Sequence, residues 1–242
     1  MRDVRQNWTS YLSDFEIQLT DNQVGQFEQY LALLLEWNAH TNLTAIREPQ
    51  DIELRHFLDS LTVATKMGEI ADGMCLIDIG TGAGFPGLPL KILFPQLQVS
   101  LVESVGKKTN FLQTVVDELG LENVLVLNQR AEEVGRNDAH REQYDFGVAR
   151  AVAGLPTLVE LLLPLVKVGG KLIAQKGENA HTELAEAAFA VAQVGGSPIR
   201  LHEVELPTHE KAHYLLVSDK VEQTPERYPR RVGVPNKRPL KT

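Results

Sequence analysis

Apolar residues recur at two different spacings along this chain of 242 residues, and the change of spacing divides it. From about residue 8 to residue 70 the period is helical. Phe27, Tyr30, Leu31, Leu34 and Leu35 fall three and four apart. Pro49 suits a first helical turn, and Ile52, Leu54, Phe57, Leu58 and Leu61 carry that helix toward Met67. Between about 71 and 219 short apolar runs alternate with helical stretches. The runs 74–79, 97–103, 123–128, 144–149, 170–175, 199–205 and 212–218 predict strands. Helices between the first five require parallel strands joined by crossovers. No helix separates the last two, where Pro207 and His209 mark a turn, so these should pair antiparallel. The pattern predicts an α/β protein: a helical cap (1–70), a seven-stranded doubly wound, Rossmann-like domain (71–219) and a C-terminal tail (220–242). No internal repeat or low-complexity tract interrupts it.

Composition narrows the setting. With 43% hydrophobic and 23% charged residues the balance is that of an ordinary globular protein. No run reaches the 18 or so apolar residues of a membrane span, and the polar start MRDVRQNWTSYLSDFE does not read as a signal peptide. The acceptor patterns Asn7-Trp8-Thr9 and Asn42-Leu43-Thr44 therefore carry no meaning as glycosylation sites. Cys75 is the only cysteine, which leaves no disulfide framework and no thiolate metal site; a small core residue in a cytoplasmic protein is the simplest reading.

Charge is unevenly spread. The net charge is −8, yet residues 227–242 (RYPRRVGVPNKRPLKT) hold six basic residues and no acid, leaving 18 basic against 32 acidic residues elsewhere. A basic tail on an acidic body suits local contact with an anionic polymer, or is a solvated terminus. Pro225, Pro229, Pro235 and Pro239 argue against a helix there.

The chemistry concentrates at DIGTGAGFPG, residues 78–87, where the first strand run ends in Asp78 and a glycine-dense turn follows. Gly82, Gly84 and Gly87 satisfy the dinucleotide spacing GxGxxG, but late, and Pro86 and Pro89 crowd the helix start that would hold pyrophosphate. A carboxylate beside the loop repels phosphate and suits a cationic nucleoside. S-adenosylmethionine (AdoMet), with a sulphonium, an amine and no phosphate, is such a ligand. A bare glycine turn without a ligand is the alternative.

Sheet geometry supplies the other pocket positions. Glu103 ends the second strand, where a carboxylate accepts ribose hydroxyls, and Ser104 and Val105 would border the adenosine. Arg130-Ala131-Glu132-Glu133 follows the third strand, where an adenine edge would meet backbone groups; Glu132 reads equally as a solvated helix-start acid. The fourth strand ends Ala149-Arg150-Ala151-Val152, without the Asn/Asp-Pro-Pro-Tyr/Phe motif that many amine methyltransferases place there. Arg150 would reach the cofactor carboxylate or the substrate backbone, or pair with a local acid.

Taken in order, Asn42-Leu43-Thr44, Arg55-His56-Phe57-Leu58-Asp59-Ser60, DIGTGAGFPGLPL, VESVGKK, RAEE, ARAV and Lys176-Gly177 resemble the RsmG/GidB family of small-subunit rRNA methyltransferases, from about residue 25 to the tail. The resemblance implies an AdoMet-dependent methyltransferase fold and methyl transfer to N7 of a guanine in 16S rRNA (position 527). It puts Gly80, Phe85, Glu103, Ser104, Val105, Ala131, Glu132 and Arg150 on the cofactor. Glu103 stands where aspartate is common, a longer reach with the same chemistry.

Guanine N7 is an in-plane lone pair without a proton, so its methylation needs alignment and not a general base. No catalytic proton-transfer residue and no metal are expected. His56 precedes Asp59 by three residues, which reads as a structural hydrogen-bonded pair or as a substrate contact. Asn42 is expected to hold the cap by a turn hydrogen bond. Lys107, Lys108, Lys176, Arg230, Arg231, Lys237 and Arg238 are the expected phosphate contacts to 16S rRNA or the small ribosomal subunit, with no DNA or membrane partner. A nicotinamide-dependent oxidoreductase and a non-catalytic AdoMet sensor share much of this pattern; NAD binding would mark the first and absent turnover the second.

Overall fold

The structure, a computed structural model, describes residues 11–206 and 212–241. The expected turn at Pro207 and His209 and the Asn7-Trp8-Thr9 pattern lie outside them. The first long helix, Asp21–Thr41, starts at Thr20 because a Thr-x-x-Gln capping box satisfies its first amides: Gln23 N–H donates to Thr20 Oγ1 (3.3 Å) and Thr20 N–H to Gln23 Oε1 (2.8 Å). Phe27, Tyr30 and Leu34 form its fully buried stripe. Asn42 closes it in the left-handed region (φ 50°). The turn that follows is held by Asn38, not Asn42 as expected. Asn38 donates to Thr44 O and accepts from Thr44 N–H, both at 3.0 Å.

The helix from Pro49 is not regular. Pro49–Ile52 runs into a π-helical stretch, Glu53–Leu58, then Asp59–Thr62 and a tight 3₁₀ end at Val63–Lys66. Residues three and four apart still fall on one side of it. Arg55, His56 and Asp59 all line one cleft.

Seven strands form one sheet in the order β3-β2-β1-β4-β5-β7-β6: β1 Cys75–Ile79, β2 Gln98–Val102, β3 Val124–Leu127, β4 Tyr144–Arg150, β5 Val166–Lys176, β6 Arg200–Val204 and β7 His213–Asp219. The first five are parallel, as the alternating pattern requires. β6 and β7 pair antiparallel, and β7 inserts between β5 and β6, so β7 alone is reversed. Strand order switches between β1 and β4, and the crevice beyond their carboxyl ends is where open α/β sheets bind ligands.

Both faces of the sheet are covered. On one, Leu76, Leu101 and Ile173 share a core with Phe27, Tyr30 and Phe57, so the N-terminal helices and the sheet are packed as one body. On the other, Ile77, Ile79 and Val102 pack against the helices Leu155–Leu162 and Ala180–Gln193 and against Tyr228 and Leu240 of the tail. The tail even forms a short helix, Val234–Lys237; Pro235 sits in its first turn, where a missing N–H costs nothing, so the expectation of no helix was too strict. No helix among the described residues is long and apolar enough to cross a membrane.

Candidate active site

β1 delivers Asp78 to the foot of the glycine loop, but its carboxylate turns inward. Asp78 is fully buried, and its Oδ2 accepts from Thr81 Oγ1 (2.6 Å) and Gly87 N–H (2.8 Å). Burial lifts its pKa to about 7 against those two hydrogen bonds. The expectation that Asp78 faces a cationic ligand is therefore corrected: it braces the loop from below. The argument against a pyrophosphate becomes more direct, because Asp78 takes the Gly87 amide at the helix start that a phosphate would need. Gly87 has to be glycine, since a Cβ there would lie 2.5 Å from Leu101 Cδ2 and 2.9 Å from Asp78 Oδ2. From the other side, the hydroxyl of buried Tyr30 donates to Ala83 O, so the helical cap holds the loop as well.

Above the loop lies a cleft of about 760 Å³, bounded by the cap, the glycine loop and the ends of β4 and β5. Arg150 crosses its floor. Its Nη1 donates to Asp59 Oδ2 (3.2 Å) and Arg55 O (3.1 Å), and its guanidinium sits 4.8 Å over the centroid of the Phe85 ring. The local acid considered as one partner for Arg150 thus exists. His56 stacks on the same Phe85 ring, 4.7 Å between centroids, with Nε2 2.8 Å from Thr44 Oγ1. Burial and the neighbouring Arg150 charge lower its pKa to about 3. Its expected pairing with Asp59 does not form; Asp59 is held by Arg150 and by His213, whose Nδ1 lies 3.6 Å from Asp59 Oδ1.

A second cavity of about 170 Å³ adjoins this cleft, and Gly80, Val152 and Ala153 line both. Glu103, Ser104, Ala131 and Glu132 line only the smaller one. Glu103 is nearly buried, its two oxygens accepting from Val105 N–H (2.8 Å) and Gly82 N–H (3.2 Å). Glu132 is not the solvated acid it could have been: it is buried and accepts from Gly233 N–H of the tail at 2.8 Å. Val105 is half exposed and lines neither cavity; its N–H holds Glu103.

The expected RNA-binding cations divide. Lys107, Arg231, Lys237 and Arg238 are exposed, and half-buried Lys108 lines the large cleft. Lys176 is taken: its side chain is almost buried, pairs with Glu183 (2.7 Å) and donates to Ala153 O. Arg230 is taken too, forked onto fully buried Glu160 at 2.8 and 2.6 Å. The charge of each is already matched by a carboxylate, so the structure gives both a structural partner that the sequence did not show, while Lys176 still lines the large cleft. Arg55, Asp59, Gln175 and His213 line the cleft and were not among the expected site residues. For Arg55 and Asp59 the signal was present in the Arg-His-x-x-Asp spacing, since residues three and four apart share a helix side.

The residues fit AdoMet on three counts: a glycine loop whose helix-start amide, Gly87 N–H, is already taken by Asp78, a strand-end acid at Glu103, and a cation at Arg150. A family model described as GidB, rRNA small subunit methyltransferase G, matches residues 23–211. A ribosomal RNA small subunit methyltransferase G from Alkaliphilus metalliredigens is 48% identical over 92% of this chain and 93% of its own length. The protein of that name from Roseiflexus castenholzii is 51% identical over 93% and 94%. Among solved structures, a SAM-dependent methyltransferase from Aquifex aeolicus superposes with a TM-score of 0.53 at 19% identity, over 74% of this chain and 97% of that one. An rRNA methylase from Streptococcus thermophilus gives 0.51 at 17%, over 67% and 95%. At such identities these two speak for the fold alone.

Proposed function

We infer the reaction from one premise: the chain belongs to the GidB family, rRNA small subunit methyltransferase G, and is an AdoMet-dependent rRNA methyltransferase. Its methyl acceptor is N7 of a guanine in 16S rRNA, met on the small ribosomal subunit or its precursor, in the cytoplasm. When bound, AdoMet supplies an electrophilic methyl group on a sulphonium.

The chain's own residues do the rest by placement. The smaller cavity takes the adenosine, with Glu103 accepting the ribose hydroxyls on the lone pairs its two amide donors leave. Gly80 and Val152 stand at the junction of the two cavities, packed so closely that a Cβ on Gly80 would meet Val152 at 2.8 Å and displace the wall both cavities share. Arg150, steadied by Asp59, reaches the methionine carboxylate. Guanine enters the larger cleft, with Arg55 and Lys108 toward its phosphates and His56 and Phe85 offering flat surfaces beside it. His56 stays neutral at physiological pH, which suits an acceptor nitrogen that carries no proton to remove. The observation that carries this reading is the meeting of two cavities at Gly80, an acid at one end and a braced arginine at the other.

The test is to incubate labelled AdoMet with under-methylated small subunits and with free rRNA, then map the labelled base. Label at one guanine N7 is expected. Label on protein or small molecules, or no transfer, would overturn the assignment.

A further inference from the structure

We propose that the C-terminal tail is a strap that completes the nucleoside cavity, and that Asn236 on this strap reads the edge of the adenine. The inference rests on the AdoMet reading above. The tail was expected to reach outward to RNA, yet its middle is bolted to the protein at several points. Arg230 is forked onto buried Glu160, Gly233 N–H donates to Glu132, and Thr157 Oγ1 donates to Pro235 O at 3.0 Å. Arg136 Nε donates to Pro229 O at 2.8 Å just before them. Two of these anchors, Glu132 and Thr157, are themselves wall residues of the 170 Å³ cavity. The strap therefore follows the cavity wall, and Asn236 is the one tail residue that lines it.

The chemistry of Asn236 matches what that position would face. The cavity is large enough for one heterocycle and has apolar walls in Val102, Val152 and Leu161. A purine sandwiched there shows only its polar edge. A carboxamide carries a donor and an acceptor side by side, which pairs with the N6 amine and the neighbouring N7 of adenine. Glu132 serves a different end: with one oxygen on Gly233 N–H, it fixes the strap so that Asn236, three residues further on, stands at the cavity. Hypoxanthine puts a carbonyl acceptor beside the N7 acceptor, so the carboxamide oxygen would be left unpaired there.

The experiment compares S-adenosylhomocysteine with S-inosylhomocysteine by calorimetry on the full chain. Wild type should bind the adenosyl compound about ten-fold more tightly, the usual scale for one good paired contact. Asn236→Ala should lose about that factor for the adenosyl compound and bind the two nearly alike. Asn236→Asp, which keeps the acceptor for the N6 amine and loses the donor, should fall between. The substituted residue is exposed, so thermal unfolding should match wild type. Unchanged affinity and preference in Asn236→Ala overturn the proposal while leaving the AdoMet reading intact. Failure of wild type to bind either compound overturns the AdoMet reading itself.

Discussion

Asp59, on the helix that begins at Pro49, lies 3.2 Å through Oδ2 from Nη1 of Arg150 at the end of β4. The two are separated by 91 residues, and the pair joins the cap to the sheet at the floor of the cleft. Burial pushes the Asp59 pKa up, but the His213 hydrogen bond and the Arg150 charge outweigh it and leave the carboxyl below its ordinary 3.8.

Asp59→Asn should therefore cost both stability and transfer. Breaking a mostly buried pair leaves Arg150 uncompensated, and about 2 kcal/mol of stability should be lost. A depressed folded pKa stabilises above the unfolded value and is lost as pH falls through the folded one. The melting-temperature gap between wild type and variant should hold from pH 8 to pH 5 and narrow below about pH 4. A gap that widens at low pH would refute this account of the pair.

His56 is shifted in the same direction, but by burial of its cationic form rather than by pairing of an anion. Its pKa falls from 6.5 to about 3, so folding favours the neutral ring and its contribution is fully present above pH 6.5. Stability relative to His56→Gln should decline as pH drops from 6.5 toward 3. Because the ring carries no proton to exchange at working pH, the shape of the pH–rate profile between 6.5 and 8.5 should be the same in both proteins. An inflection present only in wild type would give His56 a proton-transfer role.

Gly87→Ala tests the floor of the glycine loop. A methyl group placed 2.5 Å from Leu101 Cδ2 and 3.1 Å from Asp78 Cβ forces the loop away from β1. A loss of about 1–3 kcal/mol is expected in denaturant unfolding, together with weaker AdoMet binding. If binding is untouched, the Asp78–Gly87 contact does not shape the cofactor site.

The tail cations should separate cleanly. Arg230→Ala strands fully buried Glu160 and should cost about 3 kcal/mol. Arg231→Ala, exposed, should change stability by no more than about 0.5 kcal/mol. In RNA-binding titrations Lys108→Ala should lower affinity and reduce the salt slope by about one. A Lys108 variant with the wild-type slope has no phosphate contact.

Five parallel strands, the glycine loop and the acid after β2 were legible in the sequence because each depends on near neighbours. Alternating apolar runs specify strands, the stretches between them specify crossovers, and Gly82-Ala83-Gly84 permits the turn. The resemblance in DIGTGAGFPG and Arg55-His56-x-x-Asp59 added the chemistry. What periodicity does not carry is the partner of a charge. Glu160 and Arg230 stand 70 residues apart, and Glu132 and Gly233 101 apart, so only packing shows the tail engaged with the fold. The same holds for Lys176 on Glu183 and for Asp78 turned inward, since burial and pairing are set by what the fold brings alongside. The π turn is a third case: Glu53–Leu58 is widened, yet the apolar stripe around it reads as an ordinary helix. Local patterning determined the scaffold and the place of the pocket. Tertiary contact decided which charges face the cleft, because the free energy of a buried charge depends on its partners and not on its position in the chain.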